Sequence, residues 1–151
     1  MSQFRFNVRV YGLLIQEGNI LIAEQLYRDF LLRKFPGGGL QYGEGIADAL
    51  KREFIEELNF QVDIVRHYYT TDFFVPSKFN SNDQVISVFY LVKPASNEQL
   101  NITSYNGLPQ TNNEEVFLWV PLAELHLADF TLPIEKKVVL QLCEDFKNKI
   151  I

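Results

Sequence analysis

Between Gly38 and Phe60 the chain reads GGLQYGEGIADALKREFIEELNF, a stretch that few local structures accommodate. Pro36-Gly37-Gly38-Gly39 cannot lie inside a helix, because proline fixes its φ and glycine favours torsions that other residues resist. Such a run also brings bare backbone close to a ligand or a metal. A helical pattern then runs from Ile46 to Leu58. Ile46, Leu50, Phe54 and Leu58 recur every four residues as one apolar stripe, while Ala47, Asp48 and Lys51 point elsewhere. Asp48 falls in the first turn, where a carboxylate favours the helix dipole. Asn59 follows the last helical residue and is suited to a left-handed cap.

Glu53, Glu56 and Glu57 stand at i, i+3 and i+4, on one helical face. Three carboxylates this close repel each other. Arg52, four residues before Glu56, relieves part of the repulsion and cannot neutralise all of it. Two readings fit: a solvated acidic face, or a hard cation such as Mg²⁺ held by carboxylate oxygens. The glycine run in front of the helix favours the second.

Glycine, then Glu44 after five residues, then Arg52-Glu53, a hydrophobic residue, Glu56-Glu57 and Asn59-Phe60 together resemble the Nudix box. The chain is thereby similar to the Nudix hydrolases, which cleave diphosphate linkages of nucleoside diphosphate derivatives. The resemblance implies an α/β fold, an α/β/α sandwich with a mixed sheet between helices, in a single domain over residues 1–151. It implies Mg²⁺ or Mn²⁺ held by Glu56, Glu57 and Glu53, with a backbone carbonyl near Gly37 in the shell. Glu53 is then ligand or general base, and Arg52 and Glu44 orient it. The metal holds the diphosphate, lowers the pKa of a bound water and stabilises charge on the phosphoryl oxygens. The chain departs from the usual pattern at Gly45, Phe54 and Asn59. Glycine is a weaker N-cap than serine or threonine, and Phe54 affects packing more than chemistry.

Outside this stretch the signals thin out. Glu115, with Glu114 beside it, precedes a strand containing Trp119, where relatives carry another acidic residue as ligand or base; a plain surface role is the alternative. Arg28, Arg33 and Lys34 lie before the glycines, as phosphate partners or as solvated charges. Pro76 stands at an offset that marks relatives cleaving ADP-ribose, and it also ends an extended run. On that offset alone, ADP-ribose or a nucleotide sugar is expected ahead of a nucleoside triphosphate. Tyr11, Tyr27, Tyr68, Tyr69 and Phe73 are expected mainly in the core, and His67 and His126 lack zinc-ligand spacing.

The chain has 151 residues, 47% of them hydrophobic, enough for one core. A net charge of −5, from 19 acidic against 14 basic residues, argues against coating a nucleic-acid polymer. The single cysteine, Cys143, excludes an internal disulfide framework and fits a reducing, cytoplasmic compartment. The N-terminal MSQFRFNVRV alternates and does not read as a signal peptide, and no stretch suits a membrane span. A small nucleotide substrate is expected, and a homodimer is one assembly open to the chain. The competing function is a Nudix-fold binding or sensor module without turnover; the intact charges of the box speak against it. An isopentenyl diphosphate isomerase is set aside, because that reaction needs an active-site cysteine and Cys143 lies near the C-terminus.

Strands are expected over Phe4–Ile15, Ile20–Gln25, Leu31–Phe35, Val62–Val75, Gln84–Val92 and Val116–Val120. A loop is expected over Ala95–Asn113 and a helical turn over Leu122–Leu125. A last helix from Thr131 or Pro133 should bury Ile134, Val138, Leu142, Phe146 and Ile150 as an i+4 stripe, with Cys143 packing beside it.

Overall fold

The computed structural model describes residues 3–102 and 114–151. Among them are seven strands and two α-helices. The hydrogen-bonded strand order is β3-β2-β1-β6-β5, with β4 on β1 and β7 on β2, for β1 Arg5–Gln16, β2 Asn19–Tyr27, β3 Phe30–Lys34, β4 Gly37–Gly39, β5 Val62–Thr70, β6 Asp83–Pro94 and β7 Glu115–Pro121. The helices are α1 Ile46–Leu58 and α2 Pro133–Lys147. This is the mixed sheet and the α/β class that the box implied. By contacts the chain forms two compact units, Met1–Leu13 with Pro36–Glu98, and Leu14–Phe35 with Gln99–Ile151.

The first unit carries the box. Helix α1 spans the residues its pattern predicts, and Asn59 caps it in the left-handed region at φ 49, with its N–H on the Ile55 carbonyl at 2.9 Å. Ala49 joins Leu50 and Phe54 on the buried face, which packs on Val10 of β1. Strand β1 meets the helix closely at Gly12. A Cβ there would lie 2.5 Å from the Phe54 ring, so the strand needs glycine where the ring crosses it. The glycine run is a short strand, pairing Gly37 with Tyr11, Gly38 with Val10 and Gly39 with Arg9.

The extended run expected to reach Val75 stops as a strand at Thr70. The chain beyond stays beside β6 through scattered bonds: Thr71 exchanges bonds with Ser87, Val85 N–H reaches the Val75 carbonyl at 2.8 Å, and Pro76 bridges Gln84.

In the second unit, β2 is held by β3 on one edge and β7 on the other. Both hairpins use two-residue turns with positive φ, Glu17-Gly18 and Arg28-Asp29, a geometry that matches strand twist. The predicted helical turn is a 3-10 turn over Leu122–Glu124, and a second covers Leu127–Asp129. The loop expected over Ala95–Asn113 is without strand or helix from 95 to 102 apart from its first link to Gln61; residues 103–113 lie outside the described residues. Helix α2 starts with Pro133 at its first turn and buries Ile134, Val138, Val139 and Leu142.

Two members of the α2 stripe are corrected. Phe146 is 37% exposed and Ile150 61%, while Asp145 is buried. Each i+4 step overshoots a full turn by about 40°, so after three steps the stripe has rotated off the packed face. The helix also ends at Lys147, before Ile150. Cys143 packs as expected, its thiol donating to the Leu125 carbonyl at 3.3 Å, and burial pushes its pKa up.

The Gly12–Phe54 crossing makes a direct prediction. Gly12→Ala should destabilise the protein by about 1–3 kcal/mol through overpacking. Adding Phe54→Leu should return part of the loss, as read by urea unfolding of the single and double variants.

Candidate active site

The site is assembled around one guanidinium. Arg52 grips Glu44 with two bonds, Nε to Oε2 at 2.9 Å and Nη2 to Oε1 at 2.7 Å. Nη2 also donates to the Gly39 carbonyl at 3.1 Å. Nη1 donates to Glu53 Oε1 at 3.0 Å and to Glu56 Oε2 at 3.2 Å. One planar fork thus joins the glycine strand, the following turn and the helix, a task suited to arginine.

The charges respond accordingly. The Arg52 bonds, helped by the Gln41 backbone N–H, hold the Glu44 carboxyl at about 2, down from its ordinary 4.5. The bond to Glu44 in turn raises the Arg52 pKa above its usual value.

Glu53 lies against bare backbone. A Cβ on Gly38 would fall 2.5 Å from Glu53 Oε1, so the carboxylate occupies the space that any other side chain would claim. Arg52 takes Oε1 of Glu53 and leaves Oε2 outside that bond. On α1, Glu53 and Glu57 flank the buried stripe and are half-buried, and Glu57 Oε2 is shut off from solvent. Glu56 is turned outward, its side chain 57% exposed.

The donor set fits a hard divalent cation in kind: carboxylates of Glu53, Glu56 and Glu57 on one helical face, with the Gly38 backbone beside Glu53. No three acidic, histidine or cysteine side chains among the described residues already converge on a metal position. Glu53 and Glu56 are instead turned to Arg52.

Of the expected residues outside the box, Arg28, Arg33, Lys34, Glu114 and Glu115 belong to the second unit. Arg33 is paired with Glu24 at 3.0 Å and Asp129 at 3.5 Å. Arg28 sits in the hairpin turn with its guanidinium 5.4 Å from the Tyr27 ring centroid. Glu115 meets Lys34 at 3.6 Å, and the Glu114 carbonyl accepts the Leu26 N–H at 3.4 Å. Tyr11 is in the core as expected, stacked on Phe89 at 5.2 Å, whereas Tyr27, Tyr68 and Tyr69 are half-buried and Phe73 is exposed. His67 bonds Thr70 at 2.8 Å. Three contributors had no signal of their own in the sequence: the Gly39 carbonyl, the Gln41 N–H and the close approach at Gly38.

With that geometry in view, comparisons with known proteins agree. The NUDIX domain family model matches residues 4–143. A curated 8-oxo-dGTP diphosphatase of Buchnera aphidicola subsp. Acyrthosiphon pisum (strain APS) is 27% identical over 99 residues, 66% of this chain and 68% of that protein. Two solved structures share the fold at a TM-score of 0.65 each. One is a NUDIX hydrolase from Nitrosomonas europaea, 20% identical over 95% of this chain and 89% of that one. The other is the MutT protein from Methanosarcina mazei Go1, 18% identical over 97% and 99%. The chain belongs to the Nudix family. Within it, the likeness is to the MutT-like pyrophosphatases.

The Glu44–Arg52 grip makes the site acid-sensitive. A carboxyl whose pKa falls on folding adds stability above its unfolded value and loses it as pH drops through the folded one. The stability difference between wild type and Glu44→Gln should therefore be constant above pH 4.5 and vanish as pH falls toward about 2. Paired denaturant titrations across that range read the difference directly.

Proposed function

We propose that the chain hydrolyses the diphosphate linkage of a small nucleoside diphosphate derivative, with Mg²⁺ or Mn²⁺ at the box. The observation that carries this is Glu53, wedged against Gly38 and tethered by an Arg52 that also holds Glu44, Glu56 and the Gly39 carbonyl. A purely structural acidic face has no use for a carboxylate aimed at bare backbone. When bound, the cation supplies the positive field for the diphosphate and acidifies the attacking water.

The residues divide the remaining work. Glu53, Glu56 and Glu57 are the metal-binding carboxylates, joined by a backbone oxygen at Gly37. Glu53 Oε2 is the atom placed to hold the metal or take the proton. Arg52 and Glu44 are positioning residues, since they act through Glu53 and the glycine strand. Glu115, Arg28 and Arg33 remain candidates for the acidic residue outside the box and for phosphate contacts. Their ion pairs and ring contact give each a structural use as well.

Two substrate types remain within the class. The name of the Buchnera relative supports a nucleoside triphosphate. The offset of Pro76 supports ADP-ribose or a nucleotide sugar, although its bridge to Gln84 already explains that proline. The setting is taken as cytoplasmic, and no helix among the described residues is long and apolar enough to cross a membrane.

The test is a panel of nucleoside triphosphates, ADP-ribose, nucleotide sugars and dinucleoside polyphosphates with Mg²⁺ or Mn²⁺, for wild type and Glu57→Gln. Wild type should cleave at least one member, and Glu57→Gln should lose on the order of a hundredfold in turnover while staying folded. Added Mg²⁺ or Mn²⁺ should raise the wild-type Tm, because a ligand of the native state stabilises it, and should raise the variant's much less. Equal turnover and equal metal shifts in the two proteins would remove the metal site from the box.

A further inference from the structure

The three glycines of β4 are not alike. A Cβ on Gly37 would strike the Val10 carbonyl, and its φ of 150 resists a side chain. Gly38 makes room for the Glu53 carboxylate. Gly39 has neither reason to be glycine. Its φ is not positive, and among the described residues the one atom within 4 Å of a Cβ built there is Arg9 Nη1, at 3.9 Å, an ordinary contact. The fold would admit alanine at Gly39, yet the chain leaves that space open beside a guanidinium.

The guanidinium is held in place. Arg9 stands opposite Gly39 in the register of β1 and β4 and is half-buried. Its Nε donates to the Tyr11 hydroxyl at 2.6 Å, and its Cζ lies 5.7 Å from the Tyr11 ring centroid. Tyr11 is itself a core residue stacked on Phe89, so the group that fixes Arg9 is firmly seated. Arg52 also reaches Gly39, donating to its carbonyl at 3.1 Å. Two guanidinium groups thus meet at one residue that has no side chain. Gly38, which faces Glu53, is the next residue, about 3.8 Å away at Cα. Successive residues of a strand face opposite sides, so Glu53 and Arg9 flank the glycine strand. Among the described residues β4 pairs with β1 and with no second strand. A ligand that crosses its other edge meets Glu53 on one side and Arg9 on the other.

We infer that Arg9 and the bare backbone of Gly39 form a seat for a phosphoryl group of the substrate. This rests on the proposed hydrolysis at the box and gives the diphosphate a cation from the protein as well as the metal. A guanidinium presents its N–H donors as a fork that matches phosphate oxygens. Glycine lets an anion approach the main chain where a side chain would keep it away.

The experiment compares wild type, Arg9→Met, Arg9→Lys and Gly39→Ala in two readouts with Mg²⁺. One is kcat/KM on the best panel substrate. The other is Kd for the α,β-methylene diphosphates of adenosine and guanosine, which are not hydrolysed at the bridge. Arg9→Met should weaken both by about tenfold or more, and Arg9→Lys should recover part of the loss. Gly39→Ala fills the seat without removing a charge, so it should weaken both several-fold at an undiminished Tm. A purely structural Arg9 would lower Tm in Arg9→Met and leave both readouts of Gly39→Ala at wild-type values. Wild-type values in either Arg9→Met or Gly39→Ala overturn the seat and leave the hydrolase reading standing. A wild type that binds an analogue through Arg9 but cleaves no panel member keeps the seat and overturns the hydrolysis. A wild type that neither binds nor cleaves overturns both.

Discussion

Arg52 is the interaction on which the site depends. Its Nε and both Nη groups all donate, to Glu44 twice, to Gly39, to Glu53 and to Glu56. A guanidinium offers five N–H donors in a fixed plane, and here that plane joins three segments of backbone. Lysine carries a similar charge but lacks the fork, so charge alone would not reproduce the geometry. The grip also solves an electrostatic problem. Arg52 sits between Glu53 and Glu56 on the crowded helix face and relieves part of their repulsion.

Two close approaches make the grip possible. Gly12 lets β1 run under the Phe54 ring, which sets how near α1 comes to the sheet. Gly38 then leaves room for the Glu53 carboxylate on the glycine strand. The first belongs to packing and the second to chemistry, yet the second depends on the first. Moving α1 outward at Phe54 would carry Glu53 away from Gly38, because the two residues are adjacent on one helix. Core packing on one side of α1 thus controls placement of functional groups on its edge.

Much of the helix was legible in the sequence. The ends of α1 were readable because a glycine run, an apolar period and an asparagine cap coincide there, each a local signal. The i,i+4 contact between Arg52 and Glu56 was readable for the same reason. Legibility failed where the signal was local and the outcome was not. The α2 stripe was extended to Phe146 and Ile150 on strict i+4 spacing, but which side of a helix is buried depends on what it packs against. The strand expected through Val75 ended at Thr70, because β propensity does not report where regular pairing with a partner gives way to scattered bonds.

The sequence by itself determined the acidic helix face, the helix limits and the family-like spacing from Gly38 to Glu57. All of these follow from short-range periodicity and backbone preference. The tertiary structure alone decided that Gly39 and Gln41 would serve the site through their backbone groups. It also decided that Glu53 would rest on Gly38 and that Arg9 would stand beside Gly39. Main-chain N–H and C=O groups are the same in every residue except proline, so their use leaves no mark in the sequence. Likewise, where a side chain comes to rest depends on what the fold brings against it, and only the folded chain supplies that neighbour.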